Sequence, residues 1–435
     1  MPLIFCFNIY MNVKSTLLTF AIAASAICAT AKEQLIVVNE GDWNQDNGRL
    51  SYFENGTIVS NDWCSEINHT KLGDTPNDIV LINGKDIAIA VNTSNLVQII
   101  RPDGTAVTAI EDVPNCRKLA SDGEYLYVTS YAHEVVVGGV TKTFTKGYVA
   151  KIDVTDFKIV DACEVGYEPE GIAIYDGRLF VANSGGYSFS EPHDFEKTVS
   201  VINAKTMTVE RTVDTGKINL YGALSQSGKY LCINSAGDYA ANGPATVIMD
   251  CEKVLEGAPD SDCSVALPYA ATYSCAASND LFYVIGSQYS MTTGGYVYDY
   301  IVIRPEVVMT EGADAGVSTT FPGTVKEDIL AFTQPYGIYV NPYSGYIYAT
   351  DAVSYASAGK LHQWDPQGKY IGEWKVYINP GHFLALPDAN GVENIVAPGS
   401  ENPDAPVYNL QGIRVAHPVP GQIYIQNGRK ILYVE

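Results

Sequence analysis

One sequence motif, which we call the phrase, recurs along the chain and constrains its fold more than any other feature. It begins with a proline or a related residue, continues through an apolar run, a tight turn and a second apolar run, and stops at small polar residues. Clear copies begin at Thr75-Pro76-Asn77-Asp78-Ile79, Glu168-Pro169-Glu170-Gly171-Ile172 and Gln334-Pro335-Tyr336-Gly337-Ile338. The phrase returns roughly seven times, and a long period with short strands in every copy indicates a β-propeller.

The turns after the first strand of each copy measure the repeat. They fall at Gly84, Gly123, Gly177, Gly228, Asp280, Gly345 and Gly391, with a mean separation of about 50 residues, the length of one four-stranded blade. The longest interval, between Asp280 and Gly345, leaves room for an additional element. The last copy is incomplete, because His382–Leu386 supplies only one inner strand.

The N-terminal runs Leu35–Asn39, Leu50–Phe53 and Thr57–Ser60 supply the strands that the last copy lacks. Joining both ends of the chain in one blade would close the ring and protect sheet edges that otherwise invite aggregation. We therefore predict an all-β, seven-bladed propeller over residues 32–396, closed by N- and C-terminal strands in one blade.

The start of the chain indicates export. Lys14 precedes the apolar run Leu17–Ile27, and Ala29-Thr30-Ala31 matches the A-x-A cleavage rule, so residues 1–31 are interpreted as a signal peptide whose real start is Met11. Cys28 could be a lipid-attachment cysteine. The residue before it is Ile27, where a lipid-attachment motif has a small residue, and this mismatch disfavours lipid attachment. No later run reaches about 18 apolar residues, so we predict no transmembrane segment. We expect the mature protein at the cell surface, at the outer membrane or outside the cell.

Residues 397–435 predict a short C-terminal β tail. Asn427-Gly428 lies between two apolar runs and is typical of a hairpin turn. The run Tyr408-Asn409-Leu410-Gln411-Gly412 resembles the C-terminal sorting or attachment segments of secreted Bacteroidota proteins. The resemblance implies that the tail sorts or attaches the protein.

Charge and cysteine content exclude several classes of partner and site. The net charge is −22, which opposes binding to nucleic acid or to anionic lipid. Seven cysteines follow the leader, without any Cys-x-x-Cys pair, so zinc and redox motifs are absent. Cys251/Cys263 and Cys232/Cys275 are candidate disulfides; the alternative is that all the thiols are buried core residues.

Two sets of loops are expected on one face of the propeller, namely those that enter the inner strands and those that leave the second strands. Tyrosine recurs in both sets and gives a rigid aromatic surface with a hydroxyl at little entropic cost. We predict that this face binds a ligand; the alternative is that the tyrosines only end strands at the rim. The candidate ligand-binding residues are Trp43, Asn77, Asn115, Tyr131, His133, Tyr167, Glu168, Glu170, Tyr187, Tyr221, Tyr239, Tyr269, Tyr289, Tyr336, Asp351, Tyr355 and His382.

Patterns typical of catalysis are absent from the sequence. It has no His-x-x-x-His pair, no Gly-x-Ser-x-Gly elbow and no phosphate-binding loop, so we predict no catalytic residue, no metal site and no cofactor. An alternative would bring His133, His193 and His382 together around a metal. The carboxylates Glu168, Glu170 and Asp351 are candidates for acid–base groups, or for acceptors of backbone N–H groups beside turns.

Several segments between residues 35 and 386 resemble the exported YncE-like propellers of Bacteroidota. They are Val38–Trp43 with Leu50–Phe53, Glu168–Ile172 with Ala182–Tyr187 and Thr198–Ile202, and Pro335–Ile338 with Ile347–Ala352 and Gly359-Lys360. This group includes the BtuG surface propellers, which capture cobalamin and pass it to an outer-membrane transporter. The resemblance implies a corrinoid ligand on the tyrosine-rich face and a TonB-dependent transporter as partner.

Three functional hypotheses follow from the sequence. The leading one is a non-enzymatic surface or extracellular binding protein whose ligand is a small molecule, with a corrinoid first, or else a surface protein or glycan. The second is a propeller enzyme of the lactonase or lyase type, with a metal at the top of the channel. The third is a structural or adhesive surface-layer protein.

Overall fold

A computed structural model describes residues 33–186, 192–222, 224–277, 280–290, 294–313 and 315–387, together with four short strands between residues 407 and 432. The predicted signal peptide and Tyr187 lie outside the described residues. The prediction of export is therefore untested and remains an expectation.

In the described part of the chain, strands β1 to β30 build the propeller and five short helices lie between them. In chain order the strands are β1 (Gln34–Asn39), β2 (Arg49–Glu54), β3 (Thr57–Ser60), β4 (Pro76–Ile82), β5 (Asp86–Val91), β6 (Leu96–Ile100), β7 (Ala106–Ile110), β8 (Cys116–Ser121), β9 (Tyr125–Ser130), β10 (Glu134–Val137), β11 (Val140–Thr143), β12 (Tyr148–Asp153), β13 (Ile159–Glu164), β14 (Pro169–Tyr175), β15 (Arg178–Asn183), β16 (Thr198–Asn203), β17 (Thr208–Asp214), β18 (Leu224–Ser227), β19 (Tyr230–Ser235), β20 (Ala245–Asp250), β21 (Ser264–Leu267), β22 (Tyr273–Ala277), β23 (Leu281–Ser290), β24 (Gly295–Ile303), β25 (Val317–Ser318), β26 (Pro335–Val340), β27 (Ile347–Asp351), β28 (Lys360–Trp364), β29 (Tyr370–Lys375) and β30 (Pro380–Ala385). The helices are α1 (Trp63–Asn68), α2 (Cys251–Leu255), α3 (Asp260–Cys263), α4 (Pro305–Glu311) and α5 (Val325–Ile329).

The strands form seven four-stranded antiparallel blades, as the sequence predicted. Blade 1 has the order β3-β2-β1-β30, so both ends of the propeller chain meet in it. Blade 2 is β4 to β7, blade 3 is β8, β9, β12 and β13, and blades 4 to 7 are β14–β17, β18–β21, β22–β25 and β26–β29. The inner strands β30, β4, β8, β14, β18, β22 and β26 contact one another in sequence around a closed ring.

Two insertions lengthen the repeat without adding a blade. In blade 3 the separate hairpin β10–β11 lies between the second and third strands. The long sixth interval is accounted for by the extended hairpin of β23 and β24 and by α4, β25 and α5. The room predicted there for an additional element is thus filled within blade 6 and in its connection to blade 7.

Apolar side chains between neighbouring blades form the core. At the seam that closes the ring, Leu35 and Phe53 of blade 1 pack with Tyr348 and Leu361 of blade 7, and all four are fully buried. Continuous apolar runs such as those of β1 and β5 produce this packing, because side chains on the two faces of a blade meet the blades on either side.

All seven cysteines of the propeller are buried and free. The two candidate disulfides are therefore not formed, and the thiols act as small core residues. Burial raises the pKa of Cys116 and Cys232 to about 12, which suppresses the reactive thiolate.

The C-terminal segment forms a sheet of its own. Its strands are β31 (Val407–Tyr408), β32 (Arg414–Val415), β33 (Ile423–Gln426) and β34 (Arg429–Leu432), in the order β32-β31-β33-β34. Gln426 pairs with Arg429 across the predicted hairpin. In the described part of the chain, no helix has the length and apolar character needed to cross a membrane.

Candidate functional site at the mouth of the central channel

The recurring proline phrase produces a β-bulge where the inner strand begins. Pro76 pairs with Val91, but the next pair is Asp78 with Ala90, so Asn77 is left between them. Equivalent bulges leave Arg117 and Lys118 in β8, Glu170 and Gly171 in β14, Tyr336 in β26 and Gly381 in β30. A bulge redirects side chains and is common beside functional sites.

The strand registers also show that the loops entering the inner strands and the loops leaving the second strands share one face of the propeller. Pro169 pairs with Asn183 and Pro335 pairs with Asp351, so each inner strand starts where the second strand ends. The predicted arrangement of the two sets of loops is therefore correct. We call this end of the central channel its mouth.

A cavity of about 1000 Å³ opens at the mouth and is lined by the inner strands of all seven blades. Along most of these strands the first lining residues are polar and the next are apolar; β18 is an exception, since Leu224 precedes Ser225 and Gln226 there. The polar set includes Asn77, Arg117, Lys118, Tyr336 and His382, and the apolar set includes Leu119, Ile172, Leu224, Ile338 and Phe383. The cavity thus has a hydrogen-bonding rim above an apolar floor.

One side of the mouth contains a network around Glu170 that is closed to solvent, although the Oε2 atom of Glu170 has no hydrogen-bond partner among the described residues. This carboxylate is 0% exposed, and its Oε1 atom accepts hydrogen bonds from Arg117 Nε at 3.1 Å and from the Tyr131 hydroxyl. The Arg117 guanidinium also lies 4.9 Å from the centre of the Tyr131 ring. Burial raises the pKa of Glu170, while the charges of Arg117 and Lys118 oppose that shift.

The other side of the mouth contains a more open network around Glu40, which directly follows β1. His382 Nε2 lies 2.9 Å from Glu40 Oε1, and the Tyr336 hydroxyl donates to Glu40 Oε2 at 2.8 Å. Burial alone would raise the pKa of Glu40, but the hydrogen bonds and charge of its neighbours, above all His382, lower it below its usual value. A Cβ atom at Gly381 would lie 3.0 Å from both Glu40 and Tyr336, so glycine leaves room for this contact.

Lys118 lies between the two networks. Its ammonium donates to the carbonyl oxygen of Asn77 at 2.6 Å, and its charge acts on both Glu40 and Glu170. The next backbone N–H, that of Leu119, donates to Asp78 Oδ2 at 2.7 Å. These bonds fix the bulge of β8 against β4, so the basic residues have defined positions at the mouth.

Tyrosines form a continuous wall from the cavity to blade 6. The ring centres of Tyr273 and Tyr336 are 5.5 Å apart, and those of Tyr336 and Tyr355 are 5.6 Å apart. Gln334 Nε2 donates to the hydroxyls of both Tyr298 and Tyr355 at 2.5 Å. We call Tyr273, Tyr298, Tyr336 and Tyr355 the tyrosine wall. Its rings offer flat apolar faces with polar edges.

The cavity brings together seven of the candidate residues predicted from the sequence. They are Trp43, Asn77, Asn115, Tyr131, Tyr221, Tyr336 and His382. Glu170 and Tyr355 contact lining residues from outside the cavity. Tyr239 and Tyr289 are exposed and lie apart from the cavity, while Tyr269 packs at the edge of the core between blades 5 and 6.

Three further candidates form a second cluster near blades 3 and 4. The rings of Tyr167 and His193 stack with centres 3.9 Å apart, and His193 Nε2 lies 3.2 Å from Glu168. Burial is the main cause of the raised pKa of Glu168, and the nearby His133 opposes that shift. These side chains do not line the cavity.

Asp351 accepts the backbone N–H groups of Thr333, Gln334 and Val353. Its carboxylate therefore stabilises the loop, which is the alternative role that the sequence left open for it. The metal arrangement of His133, His193 and His382 does not form, since His193 contacts Glu168 whereas His382 contacts Glu40. Within the described ranges, no three His, Cys, Asp or Glu side chains are placed to bind one metal ion.

Glu40, Arg117, Lys118 and Tyr273 belong to the site but were not predicted from the sequence. A signal for the two basic residues was present, because Asn115-Cys116-Arg117-Lys118-Leu119 aligns with Thr75-Pro76-Asn77-Asp78-Ile79. Cysteine replaces the proline of the phrase in this copy, which hid the equivalence. Glu40 and Tyr273 carry no comparable signal in the repeat.

Comparisons with known proteins agree on the fold. Hydrazine synthase of Kuenenia stuttgartiensis matches with a TM-score of 0.50 at 14% identity, over 71% of this chain and 88% of that chain. A quinonprotein alcohol dehydrogenase-like protein from Bacteroides thetaiotaomicron matches with a TM-score of 0.49 at 12% identity, over 81% of this chain and 78% of that chain. AztD from Citrobacter koseri has a TM-score of 0.46 at 11% identity, over 82% of this chain and 98% of that chain.

No protein-family model and no curated protein matches this chain. At the identities found, these similarities concern the fold alone and leave function to the site itself.

Proposed function

We propose that this protein is an exported, non-enzymatic binding protein that holds a small molecule in the cavity at the channel mouth. The observation that supports this most is the cavity itself, about 1000 Å³ with a polar rim and an apolar floor. Ligand pockets typically have about 300–1,000 Å³ and combine apolar walls with a few fixed polar groups. The volume therefore favours a large ligand.

The chemistry of the walls favours a broad, flat ligand with many neutral hydrogen-bonding groups. The tyrosine wall provides ring faces on one side, and the rim includes the amides of Asn92 and Asn115, which are joined to each other by a hydrogen bond of 2.8 Å. A corrinoid combines a flat macrocycle with peripheral amides, so it is the first ligand to test. The resemblance to YncE-like propellers, including the BtuG group, supports the same choice and suggests transfer to an outer-membrane TonB-dependent transporter.

The proposal of a non-enzymatic role is supported by the contacts that the charged groups at the mouth make within the protein. Glu170 is engaged by Arg117 and Tyr131, and Lys118 is engaged by the backbone of Asn77. These contacts give a preformed rim, which reduces the entropy lost when a ligand binds. A rigid, preorganised rim suits capture and release of an unchanged molecule.

Calorimetric titration tests the proposal, with cobinamide and cobalamin as ligands. We expect heat with a stoichiometry of one ligand per chain, and we expect Tyr336→Ala to weaken binding. Tyr239→Ala is the matched control, because this tyrosine also lies in a loop at the mouth side but is 78% exposed and outside the cavity. Absence of heat with both ligands would contradict the corrinoid assignment.

A further inference from the structure

His382 has one ring nitrogen held by a carboxylate, and its side chain lines the cavity. Its Nε2 atom lies 2.9 Å from Glu40 Oε1, and its side chain is 21% exposed and lines the cavity. Within the described part of the chain, Nδ1 has no hydrogen-bond partner. The imidazole is therefore oriented without being enclosed.

The Glu40 carboxylate determines which nitrogen carries the proton. An ionised carboxylate only accepts hydrogen bonds, so Nε2 must be the donor, and a neutral imidazole then presents its lone pair at Nδ1. The Tyr336 hydroxyl holds the second carboxylate oxygen at 2.8 Å, which fixes the orientation of the pair.

A carboxylate that fixes one nitrogen of a histidine is the usual arrangement around a histidine that binds a metal with its other nitrogen. The other buried or clustered histidines differ. His193 has contacts at both nitrogens, with Asp194 O and Glu168, each at 3.2 Å. His362 contacts Tyr370 through Nδ1, and its Nε2 is buried away from solvent.

We propose that His382 binds, through Nδ1, the metal of a metal-containing ligand held in the cavity. One imidazole supplies one coordination position, so the metal must bring its other ligands with it. A flat macrocyclic metal complex with an exchangeable axial water meets this requirement and also fits the tyrosine wall. This inference rests on the proposed small-molecule site and specifies how that site recognises its ligand.

The binding step is a ligand exchange without a redox change. The Nδ1 lone pair forms a bond to the metal, the axial water leaves with its own electron pair, and the oxidation state is unchanged. The Nε2 proton stays in the hydrogen bond to Glu40. This bond makes the imidazole a better electron donor to the metal, as carboxylate partners of ligating histidines do.

The test is visible absorption spectroscopy beside calorimetry, with aquocobinamide, dicyanocobinamide and hemin as probes. We expect aquocobinamide bands to shift on binding, whereas dicyanocobinamide, whose axial positions are both occupied by cyanide, keeps its spectrum. His382→Ala should lose the shift and weaken aquocobinamide binding about 10- to 100-fold. Dicyanocobinamide should bind this variant as it binds the wild type, which would show that its cavity is intact. His133→Ala, in the second cluster outside the cavity, should keep the shift.

The outcomes separate this inference from the proposed function. Calorimetric binding of aquocobinamide without a spectral shift would overturn the role of His382 and leave the binding function standing. A shift that persists in His382→Ala would overturn it as well. A shift with hemin alone, lost in His382→Ala, would support the inference and reject the corrinoid. No heat and no shift with any probe would overturn both.

Discussion

The two sides of the channel mouth use nearly the same residue types for different purposes. Each has a glutamate that bonds to a tyrosine hydroxyl and to a basic side chain. Around Glu170 the basic group is Arg117, the carboxylate is fully buried, and the pKa is raised. Around Glu40 the basic group is His382, the pair is about one-fifth exposed, and the pKa is lowered.

The difference shows how the choice of basic residue decides what a network can do. Arginine stays charged and offers several donors in a fixed plane, so it closes the network around Glu170 and braces Tyr131. Histidine offers two distinct nitrogens, and fixing one leaves the other for a ligand. We therefore expect the Glu170 side to support the structure of the mouth and the Glu40 side to recognise the ligand.

The largest effect is expected when the closed network is broken. Glu170→Ala leaves the guanidinium of Arg117 without its buried partner, so the free energy of unfolding should fall by about 3 kcal/mol. Denaturant unfolding measures this change. Glu210→Ala is the matched control, since it removes the exposed Arg178–Glu210 pair and should cost less than about 1 kcal/mol. Equal losses in the two variants would show that the Glu170 network is not structural.

A smaller effect on stability but a clear effect on binding is expected on the open side. Glu40→Gln keeps the size of the side chain but loses the charge that orients His382. We expect the affinity for aquocobinamide, measured by calorimetry, to fall about 10- to 100-fold. A Glu40→Gln variant with unchanged affinity would contradict the assignment of this side to recognition.

The two glutamates should also give opposite contributions to the pH dependence of stability. Both start from an ordinary value of 4.5. For Glu170 the raised pKa means that stability present below 4.5 is lost as the pH rises through the folded pKa. For Glu40 the lowered pKa means that stability present above 4.5 is lost as the pH falls through the folded pKa.

Each contribution is isolated by measuring the free energy of unfolding at several pH values around 4.5. The value for Glu170→Gln or for Glu40→Gln is subtracted from that of the wild type at each pH. We expect a negative slope with pH for Glu170 and a positive slope for Glu40, each at most about 1.4 kcal/mol per pH unit. Slopes of the same sign would show that the two environments are alike.

The smallest effect is expected at tyrosines that share the face but not the cavity. Tyr239→Ala and Tyr289→Ala remove exposed rings and should leave corrinoid affinity within about twofold, because surface changes away from a site rarely exceed about 0.5 kcal/mol. Calorimetry on both variants checks this. A large loss in either would extend the recognition surface beyond the mouth.

The sequence predicted the fold because the repeat carries it locally. Each copy contains its own strands and turns, so the blade count, the mixed blade 1 and the shared face of the loops followed from spacing. Insertions such as β10–β11 do not follow the period, and the repeat could not reveal them.

The site was only partly predictable, for a physical reason. The phrase identified Asn77, Glu170 and Tyr336, since the bulge lies within it. It could not pair Glu40 with His382, which are separated by 342 residues and meet only because blade 1 closes the ring. Tyrosine content alone did not separate Tyr336, at the cavity, from Tyr239, outside it.

Anomalous scattering from cobalt, in a crystal of the protein grown with aquocobinamide, tests the central claim most directly. We predict one cobalt peak in the cavity, within bonding distance of His382 and facing the tyrosine wall. A bound corrinoid with its cobalt elsewhere on the protein, or no cobalt peak at a saturating concentration, would contradict the account of the channel mouth as the binding site.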